Sequence, residues 1–181
     1  VLIDQTKRSA RIDFSGVEVI SSQIIESDKV IKALGDVRIV GALLTAAEQA
    51  GSSAACLDTI VDYLTTRKQF DNLIGSYQAL KHPTVDMLTM LDSSRSFIYH
   101  AATIISDMSI DRDMKIACHM AKAQATDAFT YTADRAVQFH GAMGFTYDCD
   151  AQLYIRRAQW SQQQFGDAAF HRSLLASIIF D

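Results

Sequence analysis

A single proline, Pro83, stands in a chain of 181 residues. Proline removes a backbone donor and breaks helix interiors, so a chain nearly free of it is open to long helices. The apolar residues use that freedom. From about Asp36, Val40, Leu43, Ala47, Ala50, Ala54, Leu57, Val61 and Leu64 recur at steps of three and four, which predicts a helix to about Thr66. Small residues crowd its middle (Ala46, Ala50, Gly51, Ala55) and allow close approach of a neighbour. A second helix is predicted from near Ser76, with Val85, Leu88, Leu91, Ile98, Ala101, Ala102 and Ile105 as its apolar face. Pro83 lies inside it and predicts a kink or a restart. A third runs from about Arg112 to Phe139 through Ala117, Ala121, Ala125, Ala128, Thr132 and Ala136, and Gly141 and Gly144 break it. A fourth spans about Cys149 to Ile179, with Gly166 as its break point. Four helices of roughly 30 residues on short links make an all-α, up-down-up-down four-helix bundle.

Residues 1–22 follow a different rule. Ala10, Ile12 and Phe14 alternate with Arg11, Asp13 and Ser15, and Gly16 permits a turn before Val17-Glu18-Val19. A period of two reads as strand. Two short strands are not stable alone, so residues 1–22 are expected to be a β remnant, the end of a central β-domain. Residues 23–35 are then a linker and 36–181 the helical bundle. The chain opens on Val1, in what reads as the middle of a strand, which is the expectation for a fragment.

Composition excludes several function classes. Net charge is −4, with no basic run, so there is no electrostatic footprint for nucleic acid or for an anionic membrane. No apolar run is long enough to predict a transmembrane helix. Cys56, Cys118 and Cys149 show no paired spacing, and the expectation is buried reduced thiols in a cytoplasmic protein. Cys118 and His119 are adjacent and point about 100° apart on a helix, so no metal site is expected.

Two segments carry candidate chemistry. Arg67-Lys68-Gln69-Phe70 follows the first long helix. A basic residue there favours the negative end of the helix dipole. An arginine can also hold a pyrophosphate in bidentate fashion, and an exposed phenylalanine can pack on a purine or isoalloxazine ring. In Gln138-Phe139-His140-Gly141-Ala142-Met143-Gly144-Phe145, the glycines serve as helix punctuation or let the backbone approach a phosphate or adenine.

Together these segments resemble the C-terminal signature blocks of the flavin-dependent acyl-CoA dehydrogenases. Tyr63 to Phe70, with Gln78 eleven residues after Arg67, resembles the family's Tyr, Arg, polar, Phe block followed by a helix-borne Gln. Arg95 falls where that helix often carries an Arg. Gln138 to Phe145 resembles its Gln-x-x-Gly-Gly-x-Gly block, with Ala142 for the second Gly. Arg156 matches the Arg of an Arg-Asp pair whose Asp is here Arg157. The resemblance implies FAD as cofactor, an acyl-CoA thioester as substrate, α,β-dehydrogenation as the reaction and electron-transfer flavoprotein as acceptor. It also implies a homo- or hetero-oligomer of acyl-CoA dehydrogenase-like chains with the bundle at its core. Arg67, Gln69, Phe70 and Gln78 would face a neighbour's FAD, and Gln138, Phe139, Gly141 and Gly144 its adenosine end.

The family's catalytic carboxylate has two alternative positions. One, just before a Gly, is Phe165-Gly166 in this chain. The other is near Gly41-Ala42, where Ile39 and Ala42 are also apolar. Neither Phe165 nor Gly41 can accept a proton. The nearest carboxylates are Asp167 and Glu48. A two-residue step rotates a helical side chain by about 200°, so Asp167 reaches the site only if the loop at Gly166 is rebuilt. The segment Gln164 to Arg172 resembles a subgroup, known from bacterial steroid side-chain degradation, in which two related chains form a mixed tetramer and one of each pair carries the base. Three readings follow: a base-lacking subunit of a heteromer, inactive alone; a self-sufficient enzyme with Asp167 as displaced base; and a non-catalytic helical assembly module.

Overall fold

The structure, a computed structural model, describes residues 2–25, 27–105 and 110–180. Helix α1 (Ser27–Thr66) is followed by strands β1 (Lys68–Gln69) and β2 (Asn72–Leu73), then α2 (Gln78–Ile104), α3 (Arg112–His140), α4 (Ala151–Gln163) and α5 (Ala168–Phe180). The expected four-helix bundle is present, with α4 and α5 forming the fourth helix in two pieces.

Helix α3 is the hub, packing against α1, α2, α4 and α5. Ala117, Ala121, Ala125, Ala128 and Ala136 are all at most 1% exposed. These short side chains let four neighbours approach one helix. Asp111 starts α3 by accepting a hydrogen bond from the Met114 N–H at 2.8 Å. Gly141 ends it with φ +62°.

Four expectations need correction. No strand occurs among residues 2–25, where Ile12, Phe14, Val17 and Val19 are all more than half exposed. Alternation marks a strand only where a sheet exists to bury one face, and no strand lies beside this segment among the described residues. Helix α1 starts at Ser27, inside the expected 23–35 linker, of which residue 26 lies outside the described residues. Asp28 in its first turn suits the helix dipole, and Lys32 pairs with Asp36 at 3.7 Å one turn on. Helix α2 runs through Pro83 without a break. The carbonyl of Ala79 loses a partner there, but Ala79 is exposed and water can serve it. The expected face of α2 is buried at Leu91 and Ala101 but not at Val85 and Leu88, which are exposed, and Met87 and Ser94 are buried as well.

Cys56, Cys118 and Cys149 are free and buried, and burial pushes the thiols of Cys56 up to about 12 and Cys118 up to about 11. No group of residues able to hold a metal occurs among those described. No described helix is long and apolar enough to cross a membrane.

Candidate functional site

One end of the bundle carries the exposed candidates. β1 and β2 pair antiparallel, Lys68 opposite Leu73 and Gln69 opposite Asn72. Phe70 and Asp71 form the turn between them, with φ of 52° and 61°. Two positive φ values match the strand twist of a two-residue hairpin. For phenylalanine that conformation costs about 1 kcal/mol or more. The Asn72 side chain donates to the Phe70 carbonyl at 3.0 Å and the Tyr77 hydroxyl to the Gln69 carbonyl at 3.0 Å. The result is a braced hairpin holding the Phe70 ring in solvent, 86% exposed. Arg67 and Gln78 are exposed beside it, and among the described residues the Arg67 guanidinium makes no hydrogen bond or ion pair. The Gln69 side chain folds back onto the Lys68 carbonyl at 2.9 Å.

The glycine segment lies at the same end. Tyr63, one turn before Arg67, stacks on His140 with ring centroids 4.2 Å apart. His140 is anchored to the Ala136 carbonyl at 2.7 Å. Gln138 is exposed and Phe139 half-buried. The two glycines differ. A Cβ at Gly141 would meet nothing within 4 Å, whereas one at Gly144 would lie 2.5 Å from the Val137 carbonyl oxygen. Gly144 is therefore required by the chain's own packing, while Gly141 leaves an open backbone surface. An unpaired guanidinium, a presented aromatic ring and an open glycine turn fit a flavin dinucleotide.

The second region lies toward the other end of α1. Phe165 has φ +59° and Gly166 φ +110°, and this left-handed corner separates α4 from α5. The Phe165 ring lies flat against Gly41: a Cβ there would come within 2.5 Å of the ring. The structure thus brings Phe165 and Gly41 into contact, and neither side chain can ionise. Beside them is an apolar groove of about 600 Å³, lined by Val37, Val40, Leu44, Ile110, Met114 and Phe165, with Asp36 at its margin. Asp36 is a carboxylate the sequence reading missed. It looks like a helix-start residue, and only the fold sets it beside Phe165.

The other two carboxylates are committed elsewhere. Asp167 caps α5, accepting from the Phe170 N–H at 2.8 Å. Glu48 pairs with Lys7 at 3.1 Å and with Arg157. Arg157, which stands where the family has an Asp, also pairs with Asp4. Burial raises the Asp4 carboxyl, but hydrogen bonds from Thr6 and Arg157 outweigh it and hold the group below its ordinary range. The charge exchange at Arg157 thus finds its counter-ions on α1 and the N-terminal segment.

Behind the corner sits a buried basic cluster. His119 and His171 meet Nδ1 to Nδ1 at 2.8 Å. Burial, with His119 and Lys122 nearby, pushes His171 down to about 4. Burial also pushes Lys122 down to about 8, opposed by Asp167. Between pH 6.5 and 4 the unfolded chain binds a proton at residue 171 that the fold refuses, so stability falls as pH drops through that window. His171→Asn is expected to make the decline of the urea midpoint shallower there, and an equally steep decline would refute the assignment.

The Phe165–Gly41 contact gives a second expectation. Gly35 and Gly51 of α1 have nothing within 4 Å of an added Cβ, so Gly51→Ala should gain up to about 1 kcal/mol. Gly41→Ala should instead cost about 1–2 kcal/mol by displacing the ring. Combining it with Phe165→Ala should recover a coupling of about 1 kcal/mol or more in urea denaturation. Additive effects would place the ring elsewhere.

Comparison with known proteins agrees with this fold. Residues 39–180 match the family model described as the acyl-CoA dehydrogenase C-terminal domain. The chain is 38% identical over 125 residues to an acyl-CoA dehydrogenase, IpdE2, of Mycolicibacterium smegmatis, covering 69% of this chain and 38% of that protein. It superimposes with a TM-score of 0.73 at 30% identity on a structure described as the electron transferring flavoprotein of Acidaminococcus fermentans, covering 80% of this chain and 37% of that one. It also resembles in fold a chain of the ChsE4-ChsE5 complex from Mycobacterium tuberculosis, with a TM-score of 0.76 at 23% identity over 86% of this chain and 40% of that one. The chain spans little more than a third of the length of the curated relatives it matches, 38% and 36%.

Proposed function

The chain belongs to the acyl-CoA dehydrogenase family, and from that premise we propose that it is the base-lacking C-terminal part of an FAD-dependent acyl-CoA dehydrogenase assembly. The observation that carries this reading is the Phe165 ring seated on Gly41. Abstracting the α-proton of a thioester needs a base within hydrogen-bond reach. Among the described residues, Phe165 and Gly41 supply none, Glu48 and Asp36 are in ion pairs, and Asp167 caps a helix. The base then comes from a related chain, and this chain supplies an apolar wall and contacts to flavin.

The distance along α1 supports an oligomer. Gly41 and Thr66 are separated by about 38 Å of helix at 1.5 Å per residue. That is too far for one FAD to serve both the corner at Phe165 and the hairpin at Phe70. Arg67, Gln69, Phe70 and Gln78, with Gln138, Phe139, Gly141 and Gly144, therefore face a flavin held by a neighbour. When bound, FAD supplies the hydride acceptor, and electron-transfer flavoprotein is the acceptor expected to reoxidise it. Arg67 would hold the pyrophosphate, Phe70 would pack on a ring, and Gly141 would let the backbone approach the adenosine.

A second reading keeps the chemistry in this chain, with Asp36 or Asp167 as base. Asp36 is favoured over Asp167 by its place on the groove margin, though it pairs with Lys32 at 3.7 Å.

Flavin retention tests the proposal. The chain alone is expected to purify without flavin, and co-expression with a base-bearing relative should give a yellow complex with flavin absorbance. Arg67→Ala in that complex should weaken FAD retention by about 1.5–3 kcal/mol, the range for hydrogen bonds to charged groups. Stoichiometric flavin on the isolated monomer, or unchanged retention in the variant, would overturn it.

A further inference from the structure

Lys122, on α3, is fully buried, 0% exposed. Its Nζ donates to the carbonyl of Gly166 at 2.9 Å, the carbonyl of Gln162 at 3.4 Å and the hydroxyl of Thr126 at 3.0 Å. Three protons meet three neutral acceptors, with no ion pair among them. Thr126 passes the chain on to the Gln49 side-chain oxygen at 3.1 Å, and the Gln49 amide donates to Ser161 at 3.1 Å. The network thus ties α1, α3 and α4 to the corner before α5.

Burying an ammonium without a counter-ion in contact is unfavourable, and an apolar side chain of the same length would fill the space without that cost. Stability alone therefore does not account for Lys122. What the lysine does is geometric. Its two carbonyl partners bracket the last turn of α4 and the left-handed corner, so both ends of the segment carrying Phe165 hang on one nitrogen. Residues 165 and 166, with φ of 59° and 110°, lie between those anchors.

We propose that Lys122 is a positioning residue, whose ammonium holds the carbonyls of Gln162 and Gly166 and thereby fixes residue 165 over Gly41 at the floor of the apolar groove. The consequence for acyl binding rests on the function proposed above, while the placement of the ring does not. In a chain of this fold with a carboxylate at position 165, the same clamp would aim the base.

A fluorine label separates the two. 4-Fluorophenylalanine placed at position 165 alone, in the whole protein, gives one ¹⁹F line. Lys122→Met should move that line toward its position in the urea-unfolded chain while the variant still melts cooperatively. Thr126→Val, which removes the third acceptor, should leave it in place. A folded Lys122→Met protein with an unshifted line would overturn the clamp. Should that variant not fold, the wild-type protein decides. Its Lys122 ammonium should exchange slowly and correlate across hydrogen bonds with the carbonyl carbons of both Gln162 and Gly166, and absence of either correlation would overturn the proposal. A line that shifts without any change in acyl-thioester binding would uphold the clamp and count against the groove as the acyl site.

Discussion

Replacing Gly144 by alanine is expected to lower the melting temperature by roughly 5–10 °C, the equivalent of about 3 kcal/mol in a domain of this size. The reason is local. Gly144 is buried in the short 3₁₀ turn Gly141–Phe145 that folds back on the end of α3. An added Cβ would lie 2.5 Å from the Val137 carbonyl oxygen and 3.0 Å from the Val137 Cα. Both atoms are backbone of a packed helix, so no side chain can swing aside. Relief requires lifting the turn from α3 and disturbing the Tyr63–His140 stack that ties α1 to the same end. Gly141→Ala differs in kind. It meets no atom, but at φ +62° it strains the backbone, with an expected cost of about 1–2 kcal/mol. Equal melting temperatures for Gly144→Ala and wild type would show that the turn does not close on Val137.

That contrast bears on the flavin reading. Gly144 needs no ligand to explain it. Gly141, Phe70 and Arg67 do not pack against the chain in the same way. An 86% exposed phenylalanine in a left-handed turn and a guanidinium with no partner among the described residues contribute little to the bundle's stability. Strain held at such positions is a mark of a functional surface.

How much of this was legible in the sequence depends on the range of the interaction. Helix α3 followed from apolar spacing because the alanines that set its period also make its contacts; in α1 Leu43, Ala50, Leu57 and Leu64 do so, while Ala47 and Val61 of the same stripe are exposed. The strands expected within residues 1–22 did not, because alternation records a face to be buried and not what buries it. The hairpin at Phe70 was missed because Phe-Asp lacks the Asn-Gly signature of a two-residue turn. The buried face of α2 was right at Leu91 and Ala101 but wrong in its first turns, where Val85 and Leu88 are apolar yet exposed and Met87 takes the core position. Both blocks proposed to face flavin were visible as motifs, yet their meeting at one end of the bundle shows in a Tyr63–His140 contact that no spacing reveals. Lys122 and Asp36 were passed over for the same reason. A lysine amid alanines reads as a surface residue until the carbonyls of a distant corner are found around it.

The central claim is that the proton-abstracting group is not in this chain. An enzyme that loses its general base typically slows by about 10²–10⁴-fold. Among the described residues, Asp36 shares the groove lining with Phe165 and Asp167 follows Phe165 by two positions; Asp36 pairs with Lys32 at 3.7 Å and Asp167 caps α5. The most direct measurement is acyl-CoA turnover by the flavin-loaded complex with a base-bearing relative, using Asp36→Asn and Asp167→Asn together in this chain, with flavin content and assembly checked. The account predicts turnover within about threefold of the parent complex, well short of the loss of a general base. A fall of about 10²–10⁴-fold with flavin and assembly intact would contradict it and return the base to this chain.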